Sequence, residues 1–112
     1  MNYSFKGIGE LSATFGVKDG AELAAGTPVK LGTDGLVTAC AKSEGFVGFV
    51  SACRSGCAAV QLRGAAEVSC SGTGIAPGYV KLVADGSGGI CSGEGREYLV
   101  LAVDNGTAAI ML

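Results

Sequence analysis

The heptapeptide Val-Lys-Leu-x-x-Asp-Gly occurs twice in this 112-residue chain, at 29–35 and 80–86, and a cysteine follows each Asp by six residues. At a spacing of 51, Val29-Lys30-Leu31 falls on Val80-Lys81-Leu82, Asp34-Gly35 on Asp85-Gly86, and Cys40 on Cys91. After a one-residue slip the spacing is 50, and SGCAAVQL (55–62) falls on NGTAAIML (105–112). A period that occurs only twice does not make a solenoid, which needs at least three units to bury its faces. It predicts two similar halves, residues 28–62 and 79–112, within one domain, the count expected for a chain of this length.

Each copy reads as a set of short strands. Val29 and Leu31 point one way and Lys30 the other, the alternation of a half-buried strand, and the same holds around Lys81. Asp34-Gly35 and Asp85-Gly86 are turn signals, because Gly supplies positive φ and Asp tolerates it. Return strands follow at 36–40 and 88–91. The next segments, 45–53 and 98–103, are so continuously apolar that they are expected in the centre of the core. Ser55-Gly56 and Asn105-Gly106 then turn the chain into closing strands at 58–62 and 108–112. Outside the copies, 11–17 and 65–70 each read as one more strand, and 19–25 is the only place where a helical turn fits. Residues 1–10 lack clear periodicity and are expected to form an arm that is loose until something binds it; 11–112 is the single β domain. Twenty glycines, 48% hydrophobic and 16% charged residues suit a turn-rich globule. The predicted class is all-β: a small β-barrel or sandwich of about eight to ten short strands with two internally similar halves.

Charge and residue usage narrow the function. Net charge is −2 and no basic stripe is present, so a nucleic-acid partner is not expected. The longest apolar runs are too short to span a bilayer, and MNYSFKGIGE lacks the pattern of a secretory signal, so synthesis is expected in the cytosol without a membrane partner. The five cysteines do not read as a disulfide framework, because an odd count in a reducing compartment is the wrong pattern. The chain has no histidine, which removes the commonest general base and the Ser-His and Cys-His nucleophile pairs.

Several local patterns suggest chemistry. CRSGC (53–57) reads as a redox pair, Cys53 with Cys57, or a hairpin disulfide, or half of a metal site. The second copy puts Val103 and Thr107 at these positions, which favours structural thiols. The glycine stretches 71–74 and 85–95 precede no helix, so they read as hairpin loops rather than phosphate cradles. Two quasi-symmetric β halves also suit a biotinyl or lipoyl carrier domain, but Lys30 and Lys81 lie inside strands, not at a hairpin tip. The acids are scattered at strand ends and in loops. No catalytic residue, cofactor site or metal site is predicted, and the chain is expected not to be an enzyme.

The segment AAGTPVKLGTDGLVTAC, followed by GFVGFVS and AAVQLRGAAEV, resembles the capsid decoration, or head-stabilising, proteins of tailed phages. Gly26, Pro28, Val29, Gly35, Val47, Gly48, Val50, Val60, Leu62 and Gly64 carry the resemblance, which covers about residues 22–70. It implies a small β-rich protein on the virion surface, encoded by a phage or prophage, bound to a shell of major capsid protein. It also implies association of copies, with a trimer favoured, and an N-terminal arm that orders on the capsid. Tyr3 and Phe5 are the large apolar groups of that arm and its expected contacts. The positive mean hydropathy of the chain agrees with a surface partly covered by a partner. The alternative reading is a bacterial β-barrel module for carbohydrate or peptide, although Tyr3, Tyr79 and Tyr98 are too scattered for a sugar platform.

Overall fold

The computed structural model describes residues 8–112, so Tyr3 and Phe5 lie outside the described residues. Among those residues the chain forms nine strands and a single 3-10 turn, Lys18–Gly20, at the start of the segment where a helical turn was expected. The strands are β1 (Leu11–Gly16), β2 (Pro28–Leu31), β3 (Val37–Ala39), β4 (Gly48–Arg54), β5 (Cys57–Arg63), β6 (Ala65–Ser69), β7 (Gly78–Ala84), β8 (Ile90–Asp104) and β9 (Thr107–Met111). They make two antiparallel sheets, ordered β1-β5-β4-β2-β3 and β6-β9-β8-β7.

The register shows that the duplication runs further than the matched letters. Val50 pairs with Val60 and Val100 with Ile110, with a bulge at the next step in both sheets. Pro28 pairs with Phe49 as Tyr79 does with Leu99. Ser12 pairs with Gln61 as Ala65 does with Met111, which makes β1 and β6 counterparts. The turns agree as well. Ser55-Gly56 and Asn105-Gly106 all have positive φ, the type I′ geometry whose twist matches the flanking strands.

The halves differ where a return strand was predicted at 88–91. In the first half β2 pairs with two separate strands, β3 and β4. In the second, one 15-residue strand does both jobs: Tyr98 to Val100 of β8 pair with the start of β7, and Ile90 to Ser92 with its end. Gly93 and Gly95 allow this, since a Cβ at Gly93 would lie 2.6 Å from Val83 Cγ2. The extended chain therefore crosses β7 without a loop.

Neither sheet closes into a barrel. Each is linked across only by one isolated parallel bridge, Val17 with Val37 and Cys70 with Ile90. A two-sheet sandwich is the better description, and the barrel alternative falls. Val17, Val29, Val37, Val50, Ala58 and Val60 form one apolar cluster within the first half. The second half builds its own from Leu82, Ile90, Val100, Ala108 and Ile110, and takes in Phe46 and Phe49 from the first. β4 and β8 are each flanked by strands on both sides, but the segments 45–53 and 98–103 are not buried throughout as expected, since Val47 and Val103 are 41% and 37% exposed.

Candidate functional site

The two halves meet at Gly64, and both ends of the described chain meet there too. The Ala65 N–H donates to the Ile8 carbonyl (2.9 Å), and the Leu112 N–H donates to the Gly64 carbonyl (2.9 Å). Gly64 has φ +92°, and a Cβ on it would lie 2.5 Å from the Ile8 oxygen. Only glycine fits a left-handed position with backbone packed against it. Gln61, buried, ties the end of β5 across the junction by donating from Nε2 to the Arg63 (3.1 Å) and Ala65 (2.9 Å) carbonyls. Residues 8–10, assigned by sequence to the arm, thus run against the domain. Ile8 and Leu11 leave this junction 51% and 59% exposed.

Beside the junction lies a cleft of about 270 Å³ between β4–β5 of the first half and β6 of the second. Phe49, Val50, Ala66 and Val68 give it an apolar lining, and Glu10, Ser51, Gln61 and Glu67 supply its polar groups. Deeper along the same seam, Tyr98 stacks on Phe46 with centroids 4.9 Å apart and donates its hydroxyl to the Phe46 carbonyl (3.2 Å). Phe49 packs on Phe46 at 4.9 Å, and the Arg96 guanidinium lies over the Tyr98 ring. Burial pushes the Tyr98 hydroxyl pKa up, against the opposing pull of Arg96. The seam is therefore aromatic, and its buried side-chain polar atoms are satisfied in their hydrogen bonds.

The outer surface carries a second feature that the sequence reading did not single out. Tyr79, Leu99 and Met111 form a cross-strand row over β7, β8 and β9. Tyr79 is 71% exposed, the most exposed large hydrophobic residue described, and its two neighbours are half-buried. The signal was in the repeat. The matching residues are Pro28, Phe49 and Gln61, and an apolar triplet in place of one ending in an amide invites the question of what covers it.

The sequence-predicted thiols are not brought together. Cys53 pairs with Ala58 while Arg54 pairs with Cys57, so alternation puts Cys53 and Cys57 on opposite faces of the sheet. All five cysteines are free. Cys53 faces the first-half cluster, where its sulfur accepts from the Leu23 N–H (3.4 Å) and approaches the Ala21 carbonyl (3.8 Å). Cys57 is exposed. Cys40 lies near Glu44, whose carboxylate accepts from Lys30 Nζ (2.5 Å) and the Ala41 N–H (2.6 Å). Burial first, and the Glu44 charge second, push the Cys40 thiol up to about 11, so it stays protonated at neutral pH. Among the described residues no three Cys, Asp or Glu side chains gather to hold a metal ion.

The fold and these surfaces define a duplicated two-sheet β protein whose notable features are seams and faces. No known protein family matches the chain, and no curated protein matches it either.

Proposed function

We propose that the chain is a non-enzymatic structural protein that binds an assembled shell in the manner of phage-head decoration proteins, with the major capsid protein as its partner. One observation supports this above the rest. The chain reaches its domain at Gly64 through backbone contacts of Ile8, while the Ile8 and Leu11 side chains remain more than half exposed. In the sequence they follow two further large apolar residues, Tyr3 and Phe5. A β scaffold that presents exposed apolar side chains beside its junction suits docking on a larger surface, where a few buried aromatic anchors supply most of the affinity.

The test uses shells assembled from the major capsid protein encoded beside this gene. Co-sedimentation should saturate at a fixed ratio to capsid subunits. The Tyr3→Ser/Phe5→Ser double variant should lose at least tenfold in affinity, since two buried aromatic anchors are removed. A wild-type chain that stays in the supernatant, or a double variant that binds equally well, overturns the reading, as does a gene neighbourhood without a capsid gene.

A further inference from the structure

The chain contains two asparagines, Asn2 followed by Tyr3 and Asn105 followed by Gly106. Asn105 and Gly106 form the tip of the β8–β9 hairpin, between the paired residues Asp104 and Thr107, and both are exposed. Asn105 has φ +48° and Gly106 φ +76°. The matching turn of the first half, Ser55-Gly56, has the same handedness but carries no amide side chain.

An asparagine before a glycine has one intrinsic reaction open to it. The glycine nitrogen attacks the side-chain amide carbon, and no Cβ on the glycine obstructs the approach. The reaction is slowed where either group is held, and this chain supplies its own comparisons. Among the described residues, Asp19, Asp34, Asp85 and Asn105 each carry a carboxyl or carboxamide at Cγ and precede a glycine. The Gly20 and Gly35 nitrogens are engaged, donating to the Val17 (3.1 Å) and Gly32 (3.0 Å) carbonyls. The Asp85 carboxylate accepts from the Ser87 and Gly89 N–H groups and the Ser71 hydroxyl, and an ionised carboxylate is a poor electrophile. Asn105 differs from all three. No hydrogen bond to a described residue holds its amide, and the Gly106 N–H donates to no described group.

We propose that Asn105–Gly106 is a site of spontaneous backbone modification in the folded protein, at which the asparagine is converted to aspartate and isoaspartate. The Gly106 nitrogen, on giving up its proton, bonds to Asn105 Cγ. The C–N bond of the side-chain amide breaks, and the amide nitrogen leaves as ammonia carrying the proton that Gly106 lost. Water then opens the cyclic imide. Addition at the side-chain carbonyl restores the ordinary backbone with an aspartate. Addition at the Asn105 backbone carbonyl leaves isoaspartate, with the chain running through the side-chain carbon. One water is consumed, one ammonia is released, and nothing is oxidised or reduced. The two products differ in what they do to the fold. Asp-Gly suits the same type I′ turn, so the first only adds a negative charge. Isoaspartate adds a methylene to the backbone of a two-residue loop, which breaks the paired left-handed geometry and the Asp104–Thr107 register. The disturbance reaches β6, because the Cys70 N–H donates to the Gly106 carbonyl (2.9 Å) and Ser69 pairs with Thr107. This inference does not depend on the shell, because the reaction is followed with the purified protein alone.

The test incubates three folded proteins in mildly alkaline buffer: the wild type, Asn105→Ser, which copies the first-half turn, and Asn105→Asp, which is one of the two products. Peptide mapping should place the mass gain of an amide-to-acid exchange at Asn105 of the wild type, with isoaspartate detected there by an isoaspartyl-directed methyltransferase. The gain should be absent from this peptide in Asn105→Ser. Its rate in the wild type should rise with pH, since the Gly106 nitrogen reacts deprotonated. Asn105→Asp should keep the far-UV spectrum and melting temperature of the wild type, whereas the isoaspartate fraction, resolved by ion exchange, should melt lower. A parallel incubation in urea presents the same residues without the fold. An Asn105 that keeps its amide in the folded chain while the urea-unfolded chain loses it overturns the proposal, as does an isoaspartate form that melts like the wild type.

Discussion

At the scale of single residues, the two Asp-Gly turns show how one sequence element takes on different weight in its two copies. Asp34 accepts one backbone hydrogen bond, from the Leu36 N–H at 3.0 Å. Asp85 accepts two, from the Ser87 N–H (2.7 Å) and the Gly89 N–H (3.1 Å), and a third bond from the Ser71 side-chain hydroxyl (2.8 Å). Burial alone would raise the Asp85 pKa, but the bonds from Ser87, Ser71 and Gly89 outweigh it and hold the carboxyl below its ordinary value. A carboxyl whose pKa is depressed in the folded state stabilises that state above its unfolded pKa. The contribution is lost as pH falls through the folded value, here in the range below about 4. Asp85→Asn should therefore destabilise the protein at neutral pH. The gap from wild type should narrow as urea unfolding is repeated at pH 4 and then pH 3, because only the wild type titrates. Equal gaps at all three pH values would mean that the Asp85 charge contributes nothing.

At the scale of elements, the strands around the repeated letters were legible because alternation and Gly-containing turns set their ends. β2 and the hairpins β4–β5 and β8–β9 fall where the sequence reading put them. Two features were not legible. The kinship of β1 and β6 is invisible in the letters, since LSATFGV and GAAEVSC share only the alanine at 13 and 66; common hydrogen-bond register, not side-chain identity, defines it. The fusion of the predicted return strand 88–91 into β8 depends on how closely Gly93 passes Val83, a tertiary contact that no local pattern encodes. The candidate surfaces followed the same rule. Lys81 was correctly placed toward solvent by alternation, while the exposed Tyr79 row became visible only once the burial of its counterpart was known. Glycine roles separate in a measurable way. Gly35 has φ +82° and nothing near its Cβ position, so Gly35→Ala should cost only the left-handed penalty, about 1–2 kcal/mol. Gly64→Ala adds a clash with the Ile8 and Gly9 backbone to the same penalty, and should cost about 2–4 kcal/mol. Denaturant titration of both variants should rank them in that order. An equal cost would mean that the segment 8–9 moves aside freely.

At the scale of the whole molecule, the halves are alike in topology but unequal in self-sufficiency. The first-half cluster of Val17, Val29, Val37, Val50, Ala58 and Val60 includes no residue of the second half. The second-half cluster includes Phe46 and Phe49, and Tyr98 spans the seam through its stack and its hydrogen bond to Phe46. The backbone reinforces this dependence, because the Ala84 N–H donates to the Glu44 carbonyl and the Ala84 carbonyl accepts from the Ser43 N–H (2.9 and 2.8 Å). Unfolding the first half would thus strip aromatic packing and a strand-end contact from the second. The intact chain should therefore melt in one transition, since losing Phe46 and Phe49 together removes packing of the size that large-to-alanine core changes cost, about 3–5 kcal/mol each. Phe46→Ala should lower the single melting temperature without splitting it. The fragment 64–112, expressed alone, should give the narrow amide dispersion of an unfolded chain and recover a folded spectrum when fragment 1–63 is added. A dispersed spectrum from 64–112 by itself would show that its own cluster suffices and that the seam joins two independently stable units.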